Sequence, residues 1–223
     1  MLAIVSHDIR NPLSAIVIAT DQLSKLLEPT EDVKCWCEIL TRGVNRIQHI
    51  VGDLLDLSYE REGHGIPIDP RPSDLRSMCR HIIDELKTIA RDRKITFDCQ
   101  ADGVGAWDEH RVMQAISNLA SNAVQHGTPG RPVRVSLLGD QEQVSIEIEN
   151  EGTIPGELLP RIFEPFRAGR HYAKRGDGLG LGLFIAKAIA RAHGGHLVID
   201  SRAGATKCRL VLPRQPSSMA LSS

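Results

Sequence analysis

The sequence has no long apolar run, no excess of charge of either sign and no cysteine pattern of a metal site. No apolar stretch approaches the roughly 18 residues that span a bilayer, and the first residues lack the basic start and apolar middle of a signal peptide. We therefore expect no membrane contact from this segment. The 27 basic and 28 acidic residues almost cancel, so the net charge gives no reason to expect a nucleic-acid partner. The five cysteines include no CxxC pair and no histidine at ligand spacing, which favours reduced thiols in the cytoplasm over a zinc site.

Two helical stripes of apolar residues are present in the first 58 positions, with steps of three and four. The first stripe comprises Leu2, Val5, Ile9, Leu13, Ile16, Thr20, Leu23 and Leu27. After Glu28-Pro29-Thr30, the second comprises Val33, Trp36, Leu40, Val44, Ile47, Val51, Leu54 and Ser58. Two long helices joined by so short a turn lie antiparallel. One hairpin cannot close a core around these stripes, so the spacing predicts a homodimer with a four-helix bundle.

A mixed pattern follows the cluster of glycine and proline at residues 66–72. We expect helices at about 75–91, 109–126 and 182–193, and strands at about 95–99, 133–137, 144–148, 196–201 and 207–212. Gly139-Asp140 is typical of a hairpin turn between two of these strands. The predicted fold class is α+β, with a helical hairpin at 1–65, an α/β sandwich domain at 66–213 and a polar tail at 214–223.

His7 is a candidate nucleophile because of its place on the first predicted helix. It follows Val5 by two residues, which rotates it about 200° from the apolar stripe and exposes the imidazole. Asn11 lies one turn further on the same face. Taken alone, a histidine on a solvated helix face needs no function.

Two further patterns are suited to a nucleotide. Asn118 and Asn122 are four apart on a predicted helix and offer amide oxygens to a hard cation such as Mg²⁺. The glycine-rich run 176–182 leads into another helix, where exposed backbone amides can bind phosphate. It matches neither a P-loop nor a Rossmann fingerprint. Alone, the asparagines are consistent with surface or capping residues, and the glycines with a flexible hinge.

Together these segments resemble the sensor histidine kinases. The sequence SHDIRNPL at residues 6–13 resembles their phosphoacceptor box. Residues 118–123, 162–166 and 176–181 occur in the order and spacing of the ATPase superfamily shared by histidine kinases, gyrase, MutL and heat-shock chaperones. The resemblance covers residues 1 to about 213. It implies that the chain transfers phosphate from ATP to His7 and then to an aspartate in the receiver domain of a response regulator.

The resemblance also implies a role for each residue in these boxes. Asp8 would accept the Nδ1 proton of His7, and Asn11 would orient water for a second activity, dephosphorylation of the regulator. Asn118 and Asn122 would hold Mg²⁺. The other nucleotide contacts implied are Asn150, Gly152, Phe163, Phe166, Arg167, Lys174, Arg175, Gly176, Gly178, Leu179, Gly180, Leu181 and Thr206.

Two residues depart from the family's pattern at the nucleotide site. Asn150 stands where the family has an aspartate that receives the adenine amino group, and the box that follows it is one residue short. Losing the charge weakens that hydrogen bond by about 1 kcal/mol, roughly fivefold in affinity. Gln125 stands where many relatives carry lysine. A short basic lid could compensate, since Arg167, Arg170, His171, Lys174 and Arg175 lie between two nucleotide boxes.

These departures leave an alternative, a degenerate kinase that acts as a nucleotide-sensing or regulator-binding scaffold. A third interpretation, an ATPase clamp like gyrase or MutL, would need a catalytic glutamate at Asn118 and does not explain the exposed His7.

Overall fold

The structure is a computed structural model that describes residues 13, 16–20, 31–166 and 179–215; the side chains of residues 31, 32, 34, 35, 38 and 42 are not described. The chain forms two compact units, Met1–His64 and Gly65–Ser223.

The first unit is helical throughout its described elements. Leu13 and residues 16–20 are helical, and α1 spans Glu31–Arg61. The Cys37 Sγ lies 3.8 Å from the Thr20 carbonyl oxygen and donates to it. One face of α1 remains exposed, although it is apolar: Trp36 is 65% accessible, and Leu40, Ile47 and Leu54 are exposed as well. A single chain therefore leaves a long hydrophobic stripe in water.

The second unit packs helices on a mixed sheet. Its helices are α2 (Leu75–Ile89), α3 (Glu109–His126) and α4 (Gly182–Ala192), with a short 3₁₀ turn at Leu159–Arg161. Its strands are β1 (Arg71–Asp74), β2 (Ile95–Cys99), β3 (Val104–Trp107), β4 (Val133–Gly139), β5 (Gln143–Glu151), β6 (His196–Arg202) and β7 (Ala205–Pro213). Five strands form one sheet in the order β2-β4-β5-β7-β6, in which β2 and β4 are parallel and the other pairs antiparallel.

The core lies between this sheet and the helices because the strands alternate in polarity. On β5, Val144, Ile146 and Ile148 are fully buried. The intervening residues face the other side of the sheet, where Glu147 and Glu149 pair with arginine and lysine on the neighbouring strands. Burial acts to raise the pKa of Glu147, but Lys207 and Arg209 lower it overall. Cross-strand ion pairs thus stabilise the side of the sheet that has no apolar pattern.

The predicted α+β class is confirmed, with a helical region followed by an α/β domain. The small antiparallel sheet of β1 and β3 was not predicted. Its sequences contain Pro72 and Gly105, which strands usually disfavour, and its edge is closed by a distant partner: the Ala106 amide donates to the Arg214 carbonyl at 2.8 Å. Helix α2 ends at Ile89, two residues before the expected end, because its C-cap Ala90 has left the helical conformation, with φ −105° and ψ 62°.

None of the described helices is long and apolar enough to cross a membrane.

Candidate functional site

Helix α3 places Asn118 and Asn122 on the same flank. The Asp108 side chain caps the helix by accepting from the Arg111 amide at 3.1 Å. The apolar face is buried, with Ile116 and Leu119 in the core, which leaves both asparagines half-buried beside it. Their direction is therefore set by the packing of the helix.

Asn118 carries an unsatisfied polar atom. Its Nδ2 is buried and has no hydrogen-bond partner among the described residues. A buried donor without a partner costs about 1–3 kcal/mol, so the site is suited to a ligand that supplies an acceptor, such as a phosphate oxygen. Rotation of the amide would present its oxygen instead, which is the atom that a magnesium ion binds.

The start of α4 lies next to Asn118. A Cβ placed on Gly182, the first residue of α4, would lie 3.4 Å from Asn118 Oδ1. Among the residues that the structure describes, no side chain caps this helix, whose N-cap is the buried Leu181. Uncapped amides and the positive end of the helix dipole attract anions. The structure thus brings the asparagine helix and the end of the glycine-rich run together.

Asn150 lies at the far end of β5, in register with Val133 on β4 and Thr206 on β7. The residue is only 8% accessible, and its Nδ2 donates to the Glu151 carbonyl at 2.9 Å. This bond fixes the amide, so the Oδ1 is the atom left to accept a hydrogen bond from a ligand.

A relay of hydroxyl groups supports the turn beside Asn150. The Ile154 amide donates to Ser201 Oγ at 2.7 Å, and Ser201 and Thr206 are hydrogen-bonded at 2.8 Å. Thr206 donates its proton to the Gly152 carbonyl at 2.8 Å, so Ser201 must donate to Thr206. Gly152 has φ +127°, a conformation that side chains rarely allow. The relay therefore holds a turn that requires glycine next to Asn150. Ser201 is a member of the relay that the sequence motifs did not indicate.

The phenylalanine box and the glycine run meet at their described ends. The Phe166 amide donates to the Gly180 carbonyl at 3.2 Å, and Phe166 is left-handed with φ 64°. Lys187 Nζ lies 4.6 Å from the centre of the Phe163 ring, within range of a cation–π interaction. Leu179 is exposed at this junction. The two boxes that flank residues 167–178 are therefore joined by a main-chain hydrogen bond.

Several predicted site residues lie outside the described residues. These are His7, Asp8, Asn11, Arg167, Lys174, Arg175, Gly176 and Gly178, together with Arg170 and His171 of the basic segment. The structure positions the others, Asn118, Asn122, Asn150, Gly152, Phe163, Phe166, Leu179, Gly180, Leu181 and Thr206. Gln125 is exposed near the end of α3.

Two protein families match the chain in sequence. Residues 1–63 match the His Kinase A (phospho-acceptor) domain. Residues 107–216 match the Histidine kinase-, DNA gyrase B-, and HSP90-like ATPase family. The chain belongs to the histidine kinases. Its second unit therefore contains the ATP-binding domain of that family.

Individual relatives are consistent with this membership. The chain is 32% identical over 225 residues to a bacteriophytochrome of Pseudomonas aeruginosa, a match that covers 100% of this chain and 30% of the relative. It is 28% identical over 218 residues to the sensor histidine kinase CusS of Escherichia coli O157:H7, covering 95% of this chain and 44% of CusS. The chain thus spans less than half the length of both relatives.

Solved structures share the fold. Full-length ShkA, in complex with AMPPNP, superposes with a TM-score of 0.70 at 22% identity, over 99% of this chain and 47% of ShkA. The histidine kinase ThkA, in complex with the response regulator protein TrrA, superposes with a TM-score of 0.63 at 24% identity, over 97% of this chain and 61% of that one.

Proposed function

We propose that this chain is the catalytic core of a sensor histidine kinase, which transfers the γ-phosphoryl group of ATP to His7 and then to an aspartate of a response regulator. The observation that carries the proposal is the side chain of Asn118, whose buried Nδ2 has no hydrogen-bond partner among the described residues, beside the start of α4, which no described side chain caps. An anionic ligand satisfies both groups at once.

The adenine end of the proposed site is at Asn150. Its Oδ1 would accept the amino group of the base, while Thr206 and Gly152 shape the adjoining turn. A neutral amide makes a weaker hydrogen bond than a carboxylate would, so we expect ATP to bind loosely.

The phosphate end lies between α3 and the start of α4. In the orientation described, Asn118 would donate to a phosphate oxygen, and Asn122 would offer its amide oxygen to Mg²⁺. If the Asn118 amide rotates, its oxygen would bind Mg²⁺ as well. That ion, when bound, offsets charge on the phosphates. Arg167, Lys174 and Arg175 would supply further positive charge, as would the backbone of the run from Gly176 to Leu181.

His7 is the proposed acceptor. Its Nε2 attacks the γ-phosphorus in line, the bond from that phosphorus to the β,γ-bridging oxygen breaks, and ADP leaves. Asp8 takes the Nδ1 proton, which keeps the ring from accumulating positive charge. The regulator's carboxylate then takes the phosphoryl group from Nε2. Asn11 would orient water for a second activity, the hydrolytic dephosphorylation of the regulator.

Two partners follow from the proposal. The exposed stripe of Trp36, Leu40, Ile47 and Leu54 would pack against a second copy of the chain. A response regulator would receive the phosphate; the similar fold of ThkA, solved with TrrA, supports this. The supply of ATP and the free thiols of Cys37, Cys79, Cys99 and Cys208 are compatible with the cytoplasm.

A degenerate kinase that acts as a scaffold is the second candidate, favoured by Asn150 and Gln125. Incubation with Mg²⁺ and ATP labelled on the γ-phosphate distinguishes the two. We expect acid-labile label that is lost in His7→Gln and in Asn122→Ala but kept in His49→Gln, which alters an exposed histidine on α1. Absence of label in the wild-type chain at saturating ATP contradicts the kinase and favours the scaffold.

A further inference from the structure

The Arg93 side chain donates hydrogen bonds to four main-chain carbonyl groups that lie 31 to 38 residues away in sequence. It lies in the turn between α2 and β2, outside the residues that match the ATPase family. Its Nη2 donates to the carbonyls of Val124 and Gly127 at 2.7 and 2.6 Å. Its Nη1 donates to those of Thr128 and Arg131 at 2.7 and 3.3 Å. A single side chain thus brackets the end of α3 and the loop that follows it.

The chemistry of these contacts is specific to arginine. The last carbonyls of a helix have no partner within the helix and carry the negative end of its dipole, so a cation there is stabilising. Four acceptors in different directions match the planar, five-donor guanidinium group. Lysine presents a single ammonium group and cannot reproduce that geometry.

The backbone that Arg93 holds lies directly against Asn150. A Cβ on Gly127 would lie 3.1 Å from Asn150 Cβ and 3.3 Å from its Nδ2. The Thr128 amide donates at 2.8 Å to the Glu151 carbonyl, which also accepts from Asn150. A Cβ on Gly152 would lie 3.2 Å from the His126 carbonyl. The segment 126–128 therefore packs directly against Asn150 and the turn that follows it.

The turn that carries Arg93 is itself fixed. The Arg93 amide donates to the Ala90 carbonyl at 2.9 Å, and the Val133 amide donates to the Lys94 carbonyl at 2.9 Å, where β2 and β4 begin to pair. The neighbouring ion pair of Arg131 with Glu151 is largely exposed, so it contributes little. The guanidinium group is thus the strong link between the sheet edge and the segment 126–128.

We propose that Arg93 is a positioning residue for the adenine end of the nucleotide site, because it holds the segment 126–128 against Asn150. The inference rests on the proposed function. It assigns a role in base binding to a residue that contacts neither phosphate nor metal.

The test compares ATP with tripolyphosphate, which has the phosphates but no base, in the full chain. Dissociation constants are measured by calorimetry with Mg²⁺ for the wild type, Arg93→Gln, Arg93→Lys and the control Arg91→Gln, an exposed arginine in the same turn. We expect Arg93→Gln to weaken ATP binding by about tenfold, since charged hydrogen bonds are lost. Arg93→Lys should be intermediate, and Arg91→Gln unchanged. Tripolyphosphate should bind all four proteins equally.

Failure of this inference and failure of the proposed function would give different results. Unchanged ATP affinity in Arg93→Gln, or an equal loss for ATP and tripolyphosphate, overturns the role in base positioning while leaving the kinase proposal intact. If circular dichroism shows that Arg93→Gln is unfolded, Arg93→Lys decides, and wild-type ATP affinity there overturns the inference. A wild-type chain that binds no ATP contradicts the proposed function itself.

Discussion

His193 Nε2 accepts a hydrogen bond from the Asp108 backbone amide at 3.1 Å, which joins the end of α4 to the start of α3. At the first residue of α4, Gly182 lies against Asn118, which is midway along α3. Asn118 is ten positions after Asp108, and His193 is eleven positions after Gly182. At a rise of 1.5 Å per residue, the two spans are similar, about 15 and about 16.5 Å. The helices are therefore antiparallel and fixed in register at two points, one of which is the proposed phosphate site.

The two ring nitrogens of His193 have different partners, which allows a matched pair of variants. Nδ1 donates to the Ile189 carbonyl at 2.9 Å, so Nε2 is unprotonated and accepts. At position 193, the short amide of asparagine can replace Nδ1 and keep the bond to the Ile189 carbonyl. The longer amide of glutamine can replace Nε2 and keep the bond from the Asp108 amide. We expect His193→Asn to lower the free energy of unfolding by about 2 kcal/mol and to weaken ATP binding, because the Asp108 amide loses its partner. His193→Gln should keep the ATP affinity closer to wild type. Urea unfolding and calorimetry measure both, and equal ATP affinities in the two variants contradict the register role.

His193 should also make the second unit less stable in acid. Burial lowers its pKa from the ordinary value of 6.5, and Arg111 acts in the same direction, while the Ile189 carbonyl and Asp108 oppose the shift. The folded chain therefore resists protonation that the unfolded chain accepts. Stability is fully present above pH 6.5 and falls as the pH drops below it. Unfolding free energies at pH 7.5 and 5.5 should differ less in His193→Gln than in the wild type. An identical pH dependence in both proteins would falsify this assignment.

The hydroxyl relay under the Gly152 turn gives another prediction. Thr206→Val keeps the shape of the side chain but removes the donor to the Gly152 carbonyl and the acceptor of the Ser201 proton. We expect a loss of about 2 kcal/mol in the free energy of unfolding and weaker ATP binding. Thr206→Ser keeps the hydroxyl and serves as the control. The relay has no such role if Thr206→Val and Thr206→Ser behave alike in both measurements.

The elements that sequence could predict are those with a local period. The alternation of Val144, Ile146 and Ile148 predicts β5 because alternate residues of a strand point to the same side of the sheet. All three are buried on that side. The spacing of Asn118 and Asn122 places them on one flank of α3, as the structure has them. These patterns need only neighbours in sequence.

The features that escaped prediction depend on distant partners. Arg93 binds carbonyls 31 to 38 residues away, and any residue type can present a carbonyl, so no motif marks the contact. The Ser201 hydroxyl accepts a hydrogen bond from the main-chain amide of Ile154, 47 residues away. Ser201 is paired with Thr206 by the register of β6 with β7, which the expected strands at about 196–201 and 207–212 did not specify.

Gly127 should not tolerate a side chain. A Cβ there would lie 2.5 Å from the Ala123 carbonyl, closer than real contacts allow, and would also press on Asn150. We expect Gly127→Ala to cost about 1–3 kcal/mol of stability, as overpacking does, and to weaken ATP binding. Gly156→Ala is the control, because no atom of the described residues lies within 4 Å of its Cβ position. Thermal unfolding and ATP titration measure the two effects. A Gly127→Ala protein equal to the control would show that the segment 126–128 can move away from Asn150 to make room for a side chain.

Asn150→Asp should bind ATP more tightly than the wild type but have a lower free energy of unfolding. A carboxylate offers adenine a charge-assisted hydrogen bond, which strengthens ATP binding by roughly fivefold. It cannot donate to the Glu151 carbonyl, the contact that Asn150 Nδ2 makes at 2.9 Å, so the free chain should lose about 1 kcal/mol of stability. Calorimetry with ATP and urea unfolding without nucleotide measure the two terms separately. Asn150→Ala, which removes both groups, should lose affinity and stability together. Weaker ATP binding by Asn150→Asp than by the wild type would mean that Asn150 serves to pin the turn at Glu151 and does not accept the adenine amino group.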